Sequence, residues 1–195
     1  MSYIIVGLGN PGDEYKETRH NTGRMLVEWF GKSVGAEWKT DGKVKATTAK
    51  IKIGNTGVIL VLPDTFMNNS GKSLKLLVTS GKVAEKMMVV YDDLDLPFGK
   101  AKISFNKSSG GHKGLESIIK SIKTEKFARI RVGVSPTTAT GKIRKPQGEE
   151  AVTKVILGKF KPEELAQLKK LSKKVAEALE TFVSSGLERA MTGFN

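Results

Sequence analysis

A chain of 195 residues is the size of one domain with a full core, and a split in two would leave both halves small. A hydrophobic content of 38% with 21 glycines is ordinary for a globular chain and excludes disorder, while the absence of cysteine excludes disulfides, a thiolate nucleophile and a cysteine zinc site. Thirty-three Lys and Arg against twenty Asp and Glu give +13, a field that attracts polyanions such as nucleic acid. Neither a membrane span of ~20 apolar residues nor a secretion signal is legible, so a soluble, cytoplasmic protein without membrane contact is expected.

In chain order, Tyr3-Ile4-Ile5-Val6 reads as a buried strand entering a glycine-rich loop. A helix capped by Asn21 or Thr22 follows, with Met25, Leu26, Trp29 and Phe30 at helical spacing until Gly31 and Gly35 weaken it. Lys43 to Ile53 and Val58 to Leu62 form a hairpin around Asn55-Thr56-Gly57, and Pro63 stops its second strand. Ser70 is expected to cap a helix carrying Leu74, Leu77 and Val78, and Met87 to Tyr91 to be a strand emptying into the loop Asp92-Asp93-Leu94-Asp95. Lys100 to Phe105 and Phe127 to Val134 alternate as strands, separated by a glycine-rich turn and a helix with Leu115, Ile118, Ile119 and Ile122 on one face. Residues 135–148 read as a mobile basic loop, Glu149 to Leu157 as a short helix, and 162–184 as a long C-terminal helix. Interleaved strands and helices predict an α/β fold, a single domain over 1–195 whose twisted mixed β-sheet is flanked by helices on both faces.

Gly7, Gly9 and Gly12 fit the spacing of a dinucleotide-binding loop. That motif needs a helix starting at its third glycine, with amides facing a pyrophosphate. Here Asp13 and Glu14 stand in that place, Pro11 removes an amide, and the helical pattern starts only after Asn21. The glycines are better read as letting Asn10 project from the end of the first strand.

The remaining polar stretches are Asn10 with His20, Thr65-Phe66-Met67-Asn68, Asp92-Asp93 and Gly111-His112-Lys113, three of which follow strands and can meet at one sheet edge. An Asp beside a His fixes the imidazole tautomer, so that the ring can take a proton from water. Asn side chains supply donors for a developing oxyanion and acceptors for an amide. Such a set suits hydrolysis of an ester or amide by water. An acidic cluster can also hold Mg²⁺, although no dedicated ligand spacing is present. Lys100 with Lys102 and Arg129 with Arg131 alternate with apolar residues, which predicts a cationic face on each strand; Lys107, Lys113, Lys142, Arg144 and Lys145 add further phosphate contacts.

IVGLGNPGDEYKETRHNTG, LPDTFMNNSGKS, YDDLDLPFGKAKI and SSGGHKGLESI followed by FARIRVGV, kept in this order with VILGKF and the C-terminal helix, resemble the bacterial-type peptidyl-tRNA hydrolases across almost the whole chain. The resemblance implies a monomeric, cytoplasmic enzyme that needs no metal or organic cofactor. It would cleave the ester between a peptide and the tRNA 3′ end, recycling peptidyl-tRNA released prematurely from ribosomes. It further implies His20 as general base and Asp92 as its orienter. Asn10 would lie near the ester and select blocked aminoacyl groups, and Asn68 would position water or substrate. Tyr15, Phe66 and Met67 would line the peptide and 3′-end cleft, and Lys102 and Arg131 would grip tRNA phosphate along the acceptor stem. Two positions depart from the family: Lys113 stands where an Asn is usual in the substrate cleft, and Ser104 where some relatives carry a base. A non-catalytic RNA-binding protein on the same fold, as a chloroplast intron-splicing relative resembles, is the alternative.

Overall fold

The computed structural model of the protein describes residues 2–138, 140 and 142–195. Its apolar and β-branched runs form β1 (Tyr3–Gly7), β2 (Lys39–Asp41), β3 (Ala46–Ile53), β4 (Thr56–Pro63), β5 (Met87–Pro97), β6 (Ala101–Phe105) and β7 (Ala128–Ser135). They join in one sheet, ordered β2-β3-β4-β1-β5-β7-β6. β1 lies parallel to β4 and β5, and β5 parallel to β7; β3 pairs antiparallel with β2 and β4, and β6 with β7. The sheet is therefore mixed, with a parallel centre and antiparallel edges. The carboxyl ends of β1, β4, β5 and β7 share one edge, where α/β folds place their sites.

Among the described residues there are six α-helices, α1 (Thr22–Ser33), α2 (Gly81–Ala84), α3 (Lys113–Ile122), α4 (Glu149–Ile156), α5 (Pro162–Ser185) and α6 (Leu187–Phe194), and three short 3-10 segments. Successive strand residues feed opposite faces. Ile5, Met88, Val90 and Ile130 pack with Leu26 and Phe30 of α1 and Leu179 and Phe182 of α5. The intervening Ile4, Val6, Met87 and Val89 pack instead with Leu74 and with Leu115 and Ile118 of α3. Burying each such side chain contributes about 1.5–3 kcal/mol, which is why the central strands are continuously apolar rather than alternating.

Several local expectations are corrected. Ser70 caps no helix: it lies within a 3-10 segment, Met67–Ser73, and its hydroxyl donates to Met67 O at 2.8 Å. Asn21 precedes α1 as expected, but its side chain does not cap the helix, which continues through Gly31. Asp92 and Asp93 are not in a loop, because β5 runs on past Tyr91 to Pro97 through an irregular register with β7. Past Ser185 the chain does not end in a single helix; Gly186, at φ 85°, separates α5 from α6. Within the expected basic loop Thr137 bridges Ile143, and Arg144 N donates to Pro136 O at 2.8 Å; positions 139 and 141 lie outside the described residues. The short, exposed β2 had no readable alternation.

Candidate active site

His20 sits in a 3-10 turn, Arg19–Asn21, held from both sides. Arg19 donates to Gly158 O and Lys159 O, pairs with both oxygens of Glu164 at 2.7 and 2.9 Å, and lies over the Phe160 ring. Asn21 grips the backbone of Asn10: its Oδ1 accepts from Asn10 N and its Nδ2 donates to Asn10 O, both at 2.9 Å. His20 is thereby fixed against the end of β1 and the start of α5.

Its imidazole is 6% exposed, and Nδ1 stands 3.0 Å from each oxygen of Asp92, itself 3% exposed. A second histidine converges on the same carboxylate: His112 Nε2 lies 3.0 Å from Asp92 Oδ1. His112 is also the cap residue of α3, and its Nδ1 accepts from Leu115 N at 3.3 Å. A ring nitrogen that accepts carries no proton, so the His112 proton is on Nε2, donated to Asp92. Asp92 is then an acceptor for two N–H groups, and the His20 proton is held on Nδ1. His20 Nε2 keeps its lone pair free. Burial lowers the His20 pKa, but the Asp92 charge and hydrogen bond outweigh it, and the net shift is upward from 6.5. Burial raises Asp92, yet the two imidazoles outweigh it and hold the carboxyl far below its ordinary range.

His20, Asp92 and His112 also bring three metal-ligating groups within 4.8 Å of one another. The donor set does not suit an ion. His112 would have to present a lone pair at Nε2, which requires a proton on Nδ1, where the Leu115 N–H already points.

A cleft of about 560 Å³ opens beside the two histidines, walled by Leu94, Ser104, Arg131, Lys107, Lys113 and the α4 residues Val152 and Ile156 among others. Arg131 Nε pairs with Asp93 Oδ2 at 2.7 Å, and Lys145 pairs with Asp95. Lys107 and Lys113 are exposed and have no ion pair among the described residues. The predicted cationic face of β7 is corrected: Arg129 is fully buried over the Phe127 ring and donates to Ser108 O at 3.0 Å. It anchors the glycine-rich loop ahead of α3 rather than meeting solvent. Lys102, directly across from Arg131, is exposed as expected.

Asn10 is buried in the loop that follows β1 and is not among the residues walling the cleft. Its Oδ1 accepts from Met67 N at 2.8 Å, which fixes the amide and leaves Nδ2 as a free donor among the described residues. Phe66, 60% exposed, offers a free aromatic face, and Asn68 is exposed beside it. Met67 is corrected: its side chain is buried in the core, and only its backbone serves the site. Tyr15 is half-buried on the turn after Gly12 and is not among the residues walling the cleft. The first glycine loop has no phosphate cradle. Arg24 N of the first turn of α1 donates to Leu8 O at 2.8 Å, and a Cβ on Gly9 would lie 2.7 Å from the Arg24 side chain. The Arg24 amide of that helix start is thus already taken by the chain itself and is not available to a pyrophosphate.

Residues 4–195 match the family model for peptidyl-tRNA hydrolase. The chain belongs to that family. The peptidyl-tRNA hydrolase of Aquifex aeolicus is 40% identical over 96% of this chain and 93% of its own length. That of Listeria monocytogenes is 39% identical over 98% of each. The crystal structure of peptidyl-tRNA hydrolase from Acinetobacter baumannii superposes with a TM-score of 0.87 at 31% identity, covering 100% of this chain and 94% of that one. Membership makes the protein a hydrolase of the ester joining peptide to tRNA, acting in translation. Among the described residues no helix is long and apolar enough to cross a membrane.

The sequence of this hydrolase gives His112 no role of its own, Asn21 only that of a possible helix cap and Arg129 only a place on a cationic face. His112 stood in a noted motif, and its place before an apolar helical run is a cap signal. Nothing in sequence pairs Asn21 with the backbone of Asn10, or Arg129 with Ser108, which is 21 positions away.

Proposed function

We propose that His20 Nε2 takes a proton from a water molecule as that water attacks the ester carbonyl carbon of peptidyl-tRNA. The observation that carries this is the pair of 3.0 Å contacts from His20 Nδ1 to Asp92, which leave Nε2 as the one free basic nitrogen of the pair. The tetrahedral intermediate then expels the ribose 3′ oxygen, which receives the proton from the His20 imidazolium. Asp92 stabilises that imidazolium, and His112 keeps Asp92 ionised by hydrogen bonding to it.

Asn10 Nδ2 donates to the substrate beside the ester, where the amide of a blocked aminoacyl group presents a carbonyl acceptor that a free ammonium lacks. Asn68 positions water or the peptide, and Phe66 stacks at the 3′ end. Tyr15 borders the same side, and Met67 acts through its backbone on Asn10. Lys102 and Arg131 take tRNA phosphates of the acceptor stem, with Lys113 near the ester where relatives carry Asn. The enzyme works as a cytoplasmic monomer, without cofactor, on peptidyl-tRNA shed from ribosomes. A purely RNA-binding role is disfavoured by a buried histidine whose proton is fixed and whose lone pair is free.

The test is deacylation of an N-acetylated aminoacyl-tRNA beside its unblocked counterpart. The blocked form should be cleaved selectively, and His20→Ala should reduce the rate by about 10²–10⁴. Equal cleavage of both forms, or full activity in His20→Ala, would overturn the assignment.

A further inference from the structure

Strand β6 is one of the two outer strands of the sheet, so one side of its backbone has no strand partner among the described residues. Across the ladder Lys102 faces Arg131 and Ser104 faces Arg129, and Gly133 N donates to Lys100 O at 2.8 Å. Hydrogen-bonded and open rungs alternate in an antiparallel pair. The N–H and C=O of Lys102 and Ser104 therefore turn inward to β7, and those of Ile103 turn outward to the free edge.

The outward rung is filled by a side chain. Asn195 Oδ1 accepts from Ile103 N at 2.7 Å, and Asn195 Nδ2 donates to Ile103 O at 3.1 Å. A carboxamide offers one donor and one acceptor side by side, as a peptide unit of a neighbouring strand would. It is delivered by α6, whose Ala190, Met191 and Phe194 pack on the core that contains Ile103. The residues flanking Ile103 face the candidate site from β6: Lys102 is exposed across from Arg131, and Ser104 walls the cleft with a buried hydroxyl that has no partner among the described residues.

We propose that Asn195 is a positioning residue for the tRNA grip. By closing the open edge of β6 it prevents local fraying and holds Lys102 and Ser104 in register with Arg131. The proposal rests on the reading that Lys102 and Arg131 hold phosphate. It predicts a role in substrate affinity and none in the proton transfer at His20, which belongs to other elements.

The experiment measures kcat and KM on N-acetylated aminoacyl-tRNA for wild type, Asn195→Ala, Asn195→Asp and Lys102→Ala, with hydrogen exchange of the Ile103 amide. Asn195→Ala should raise KM about fivefold, the worth of roughly one net hydrogen bond, with kcat unchanged and Ile103 exchange accelerated. Asn195→Asp keeps the size and the acceptor but places a carboxylate oxygen against Ile103 O, so it should also raise KM; being nearly isosteric, it serves if the Ala variant fails to fold. A raised KM in Lys102→Ala beside an unchanged KM in both Asn195 variants would overturn the proposal alone. An unchanged KM in Lys102→Ala would overturn the grip reading and the proposal with it. A loss in kcat without a rise in KM would show Asn195 to be merely structural.

Discussion

Replacing Asp92 with Asn should disable the base through its tautomer, even though the side chain keeps its shape. Asp92 accepts from His20 Nδ1 and from His112 Nε2. Oδ1 lies 3.0 Å from both His112 Nε2 and His20 Nδ1, and Oδ2 lies 3.0 Å from His20 Nδ1, so an amide that keeps its oxygen on His112 puts its NH₂ in the place of Oδ2, against His20 Nδ1. His112 cannot yield, since its Nδ1 is held as an acceptor by Leu115 N. The amide oxygen therefore turns to His112, and the NH₂ faces His20 Nδ1. The donor newly facing His20 Nδ1 favours the tautomer that accepts there and carries its proton on Nε2, the nitrogen that should take a proton from water. The same error in a Ser-His-Asp triad costs about 10⁴ in kcat. With His20 still buried and correctly placed, a loss of about 10³–10⁴ is expected here, equivalent to about 4–5 kcal/mol of barrier. Single-turnover deacylation of a blocked aminoacyl-tRNA measures it, and nitrogen NMR of His20 reports which ring atom is protonated. A variant within tenfold of wild type, or one retaining the proton on Nδ1, would refute the tautomer argument.

The rate against pH should show an acid limb centred above 6.5, because the raised His20 pKa must be passed before the free base is available. A limb at or below 6.5 in wild type would contradict this. Stability follows the same pair with opposite signs. The Asp92 contribution is present above 3.8 and lost as pH falls through its depressed folded value; the His20 contribution is present below 6.5 and lost as pH rises through its raised one. Urea unfolding should therefore find the difference between wild type and Asp92→Asn largest between those two ordinary values and smaller at alkaline pH. His112→Asn keeps a cap residue for α3 but removes the donor to Asp92, and it should lower kcat about tenfold while leaving α3 folded; unchanged kcat would remove His112 from the relay. Arg131→Ala and Lys102→Ala should each flatten the salt dependence of tRNA affinity by about one counterion. Arg131→Ala should cost more affinity, since it also leaves Asp93 uncompensated beside the bound phosphate.

The sequence by itself determined the class of fold, most element positions and the residues that carry the chemistry, because these depend on local periodicity and on motifs spanning a few residues. It placed Asn10, His20, Asp92 and the His112 turn at loops or strand ends that could converge. Which groups actually meet was decided by the tertiary structure. Alternation along β7 shows that Arg129 and Arg131 share a face, but not that Arg129 is covered by the loop at Ser108 while Arg131 reaches the cleft. An acidic run reads as a loop until pairing with β7 extends β5 through it. Two histidines 92 positions apart become partners only because the sheet edge brings both to one carboxylate. Hydrogen bonds depend on distances of a few tenths of an ångström, set by the packing of the whole chain, so no short segment encodes them alone.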